Sequence, residues 1–159
     1  MKIIGIDPGT HRIGYSILEK SQQSITVLDY NTIEIPPKTE YHLSLQLLEK
    51  NLLFILNKYK PELASVEELF FFKNTKTAGT VYQARGVILL CLTKKNIPIL
   101  EPTITQIKKG ITGNGNADKN QVKSGIKLLL GLEPKGKDDS WDAIATAYVG
   151  LAMSKNSYL

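Results

Sequence analysis

The chain has 159 residues, 42% of them hydrophobic and 22% charged, which suits one soluble globular domain over residues 1–159 with a substantial core. No apolar run is long enough to span a bilayer, and the N-terminus, MKIIGIDPGT, meets an acid and a proline too early for a signal peptide. The single cysteine, Cys91, cannot form an internal disulfide, so a reducing, cytoplasmic setting is expected; within VILLCL it reads as core. Net charge is +5, and it is uneven: nine lysines against three acids between Lys94 and Lys137 leave that stretch at +6. Localised charge of this kind points to a polyanionic partner.

KIIGID is short, apolar and β-branched, which predicts a buried strand, and DPGT predicts a tight turn. RIGYSIL and SITVLDYNTIEI add two strands on short connections, predicting an antiparallel meander. Leucines three and four apart from His42 to Lys58 predict a helix. LASVEE is a strand by its apolar run, Asn74 to Thr93 a helix, IPIL a strand and TITQIKKG a short helix. A glycine-rich loop, ITGNGN, precedes a helix over Ala117 to Leu130 with a basic face; PKGKDD reads as a polar linker and Ser140 to Ser154 as an amphipathic helix. The order predicts one α/β domain with a mixed sheet flanked by helices.

Four acidic positions stand out. Asp7 ends a buried strand beside a turn, at the edge where open α/β sheets place ligands. Glu67 and Glu68 end another strand, and alternation allows only one of them to face a given site. Asp139 and Asp142, preceded by Asp138, have the i, i+3 spacing that puts two carboxylates on one side of a helix, though an acidic first turn also suits the helix dipole. Oxygen ligands without a histidine or cysteine cluster favour magnesium or manganese over zinc; His11 and His42 are isolated and expected at the surface. Gly110 and Gly115 have P-loop spacing, but Asn116-Ala117 follows where Lys-Ser/Thr is required, so that reading fails. Of Phe70, Phe71 and Phe72, at least one is expected to be exposed, able to stack on bases or wedge between them.

GIDPGTHRIGYSIL, VEELFFFKNTKTAGTVYQARGVI, ITQIKKGITGNGNADKNQVK and KDDSWDAIATA together resemble the RuvC family of Holliday-junction resolvases, in order and along nearly the whole chain. The resemblance implies a ribonuclease H-like fold with a five-stranded sheet and carries the family's catalytic acids onto Asp7, Glu67, Asp139 and Asp142. It implies two magnesium ions per site, with manganese as a substitute, and hydrolysis that leaves 5′-phosphate nicks. It places Phe70 near the junction centre and gives Lys108 and Lys119 to DNA or the scissile phosphate. Lys73 and Arg85 also match family positions and are expected at the nucleic acid. Four-way junction DNA, a homodimer and a branch-migration motor are the implied partners. A nuclease acting on RNA and a non-catalytic branched-DNA-binding module are the alternatives; an actin-like ATPase needs two such domains and more residues than this chain has.

Overall fold

The computed structural model describes residues 1–70, 78–133 and 135–156. Strands β1 (Lys2–Asp7), β2 (Arg12–Lys20), β3 (Ile25–Glu34), β4 (Leu63–Val66) and β5 (Ile99–Leu100) form one sheet in the order β3-β2-β1-β4-β5. The meander is antiparallel and β4 and β5 are parallel to β1, so the sheet is mixed and β1 is its central strand. Helices α1 (Tyr41–Tyr59) and α2 (Ala78–Lys94) cover one face; α5 (Asp138–Asn156) crosses the other, flanked by α3 (Ile104–Thr112) and α4 (Lys119–Leu130).

Side-chain alternation sorts the two faces. Ile4, Ile6, Ala64 and Val66 join the core beneath α1 and α2, with Cys91 buried among them. Residues of the opposite parity, Ile3 and Leu63, pack against Ala147 and Leu151 of α5. Glycine thins the sheet where α5 crosses. A Cβ on Gly5 would stand 2.2 Å from the Ala143 carbonyl oxygen, and one on Gly14 would stand 1.9 Å from that of Asp139. Ser16 Oγ donates to the Ala143 carbonyl at 2.8 Å, tying the helix to β2 at the same level. The backbone of α5 therefore lies directly on β1 and β2.

Three boundaries differ from the sequence expectation. The glycine loop begins at Gly113, because Ile107 and Ile111 are buried one turn apart and extend α3 to Thr112. Gly113 then closes the helix at φ 78°, a conformation open to glycine. PKGKDD is not a linker to its end: Asp138 and Asp139 form the first turn of α5, where carboxylates suit the helix dipole. The helix expected from Ala117 begins at Lys119, capped by Asp118, whose side chain accepts from the Gln121 amide. Residues 74–77 of the helix expected from Asn74 lie outside the described residues. Among the described residues no helix is long and apolar enough to cross a membrane.

Candidate active site

The site begins at the carboxyl ends of β1 and β4. Parallel pairing runs from Ile3 with Leu63 to Ile6 with Val66, and the Glu67 amide continues it by donating to the Ile6 carbonyl at 3.2 Å. One step further, Asp7 and Glu67 stand side by side. Alternation puts Leu63, Ser65 and Glu67 on the α5 face with Ile3, Gly5 and Asp7; Glu68 has the opposite parity. Because α5 lies on Gly14, the residue paired with Asp7 on β2, its first turn reaches the same edge.

Asp7, Glu67 and Asp142 line an open cleft of roughly 330 Å³ with Lys108 of α3 and Lys119 of α4. Ile104, Ile107, Val122 and Ala145 form its apolar wall. Asp139 is not among the lining residues. It turns towards Arg12, whose Nε stands 3.5 Å from its Oδ2, and that oxygen is buried without a hydrogen bond among the described residues.

The acids stand in one another's fields. Burial pushes Asp7 well above the ordinary carboxylate range, and Glu67, Asp142 and Asp139 push it further. Glu67 rises to about 7, mainly through burial and then through Asp142, against the pull of Lys108. Asp142 is raised by burial, which Lys119 partly offsets. A half-buried group of carboxylates repels itself and invites a cation. Its all-oxygen donors suit a hard ion such as magnesium or manganese. By donor type and charge, then, the residues fit such an ion; among the described residues, however, no three acids are drawn together as a ready-made cage.

Lys119 supplies positive charge at the cleft. Its Nζ lies 3.2 Å from Asp138 Oδ2 and 3.6 Å from Asp142 Oδ2, while Lys123 reaches Asp138 Oδ1 at 2.6 Å. Other lysines of the basic stretch are also paired, Lys94 with Glu49, Lys127 with Glu133 and Lys137 with Glu34. Its +6 is therefore partly answered by acids remote in sequence. Arg85 sits behind the site: it pairs with Glu101 and aims Nε at the Glu67 carbonyl, 3.5 Å away, with only 13% of its side chain exposed. Phe70 is 62% exposed, three residues beyond Glu67. Phe71, Phe72 and Lys73 lie outside the described residues. His11 and His42 are at the surface.

Sequence reasoning named Asp138 only as the neighbour of Asp139, and passed over Arg12, Gly5 and Gly14. The glycines had a signal, since they flank Asp7 on two neighbouring strands; the ion pairs of Asp138 and Arg12 depend on how helices pack and had none.

A family model for crossover junction endodeoxyribonuclease RuvC matches residues 3–149. The chain belongs to the RuvC family. A RuvC of Petrotoga mobilis is 48% identical over 149 residues, 93% of this chain and 91% of that one. A RuvC of Thermosipho melanesiensis is 42% identical, covering 93% and 95%. The fold resembles that of a Thermus thermophilus RuvC solved in complex with Holliday junction substrate, with a TM-score of 0.91, 24% identity and coverage of 99% of this chain and 96% of that one. The ribonuclease H-like fold is thereby borne out, and this RuvC-family chain is an endodeoxyribonuclease of a metal-dependent family.

Proposed function

We propose that this chain, acting as one nuclease domain over residues 1–159, resolves four-way DNA junctions by hydrolysing phosphodiester bonds in recombination and repair. The observation that carries the reading is Asp7, half-buried at the end of the central strand with Glu67 beside it and Asp142 across the cleft. Asp7, Glu67, Asp139 and Asp142 would hold magnesium, two ions to a site, or manganese in its place. When bound, the metal supplies Lewis-acid activation of water and neutralisation of phosphate charge.

The chain's residues do the rest. Asp7 and Glu67 face one cleft from adjoining strands and set where the scissile phosphate lies. Water oxygen bonds to phosphorus, the bond to the 3′ oxygen breaks, and that oxygen takes a proton, leaving a 5′-phosphate. Lys108, on the cleft wall, balances charge building on the phosphate oxygens. Asp139 completes the acid set by turning from Arg12. Phe70, exposed beside the cleft, stacks against bases at the junction centre. Lys73 adds a backbone contact, and Arg85 contributes through the strand end it braces.

A four-way junction is two-fold symmetric, so a homodimer with one site per subunit matches it. A branch-migration motor working on the same junction and a cytoplasmic location complete the proposal. Asp7→Asn should abolish cleavage of a synthetic four-way junction in magnesium while junction binding, read by gel shift, stays within about twofold. Wild-type cleavage by that variant would remove Asp7 from the site.

A further inference from the structure

Lys119 occupies an electrostatically awkward place. It is the first residue of α4, at the positive end of the helix dipole, where an acid is the stabilising choice. Its Nζ is held there by two carboxylates of α5, Asp138 at 3.2 Å and Asp142 at 3.6 Å. Asp142 lines the acidic cleft with Asp7 and Glu67, and Lys119 lines it too. Asp138 has a second anchor in Lys123 at 2.6 Å, one helical turn further along α4.

Resting on the reading of this cleft as a metal site, we infer that Lys119 is the resident counter-cation of the metal-free site, and that it competes with the divalent ion for Asp142. A lysine this close to a carboxylate and a dipositive ion on that same carboxylate repel one another. Lys119 therefore gives up Asp142 when the metal binds and keeps Asp138 as its second anchor, or turns to a DNA phosphate at the cleft. Asp138, which the acid count leaves outside the catalytic set, acquires a role as the positioning residue that retains the displaced ammonium beside the cleft.

A lysine that served only DNA would leave metal binding untouched in the absence of DNA. Calorimetric titration of Mn²⁺ into the full-length protein without DNA separates the two. Lys119→Met, which keeps the stem and removes the charge, should bind Mn²⁺ on the order of tenfold more tightly than wild type, even as junction cleavage falls. Lys119→Arg keeps the charge and should bind as wild type does. Asp138→Asn frees Lys119 from its second anchor and should weaken Mn²⁺ binding, because the ammonium is left to Asp142 alone. A folded Lys119→Met that binds Mn²⁺ no more tightly than wild type overturns the inference, and an Arg variant that tightens binding as Met does overturns it too. Asp7→Asn titrated alongside tells this failure from that of the site itself: unchanged Mn²⁺ binding there removes Asp7 from the metal site, whatever Lys119 does.

Discussion

At the scale of single residues, the site is built against stability. Glu67 in the folded chain releases its proton near pH 7, against 4.5 when exposed to water. Between those values the folded state holds more protons than the unfolded one, so stability falls as pH rises through that window and levels off above it. Asp7 and Asp142 are raised as well and act with the same sign. Glu34, Glu133 and Asp138 are lowered, through their lysine partners, so their contribution changes only below about pH 4.5 and does not mask the effect. Melting in EDTA should therefore give a higher Tm at pH 5 than at pH 8. Glu67→Gln should flatten that slope and melt above wild type at pH 8; equal slopes in the two proteins would mean that Glu67 is ordinary. Carboxylates that cost stability when empty are what a cation-binding site requires.

At the scale of elements, the geometry rests on how near α5 comes to the sheet. Gly14 is in contact with the backbone of the first turn of α5, one strand away from Asp7. Gly14→Ala should force that turn outward, lowering stability by about 1–3 kcal/mol as overpacking does. Cleavage should fall further than this destabilisation accounts for, because Asp139 and Asp142 move with the helix; a folded variant with full activity would show that the contact is not what sets the acids. The elements themselves were largely legible in the sequence, because the meander and the leucine periodicity of α1 are local patterns. The start of α5 was not: Asp138 and Asp139 look like linker until a dipole and a docking surface claim them. Alternation alone did not choose between Glu67 and Glu68; the family resemblance pointed to Glu67, and the parallel register with β1 stands Glu67 beside Asp7. The pairs of Lys119 and Lys123 were illegible for the same reason, their acids lying in α5.

At the scale of the whole molecule, the proposed homodimer would give each site one strand to cut. Mixed dimers with one wild-type and one Asp7→Asn subunit should convert a four-way junction into singly nicked product, with almost no paired cleavage, on a denaturing gel. Full resolution by such a mixture would refute the paired-site arrangement. The acids themselves come from opposite ends of the sequence, Asp7 on the first strand and Asp139 and Asp142 on the last helix, which reaches them only across Gly5 and Gly14. A chain emerging from the ribosome carries Asp7 from the outset, gains Glu67 before midway and lacks Asp139 and Asp142 until nearly the end of synthesis. With the acid set proposed above, nuclease activity arrives with the final docking step, and a chain without α5 would leave the DNA around it uncut.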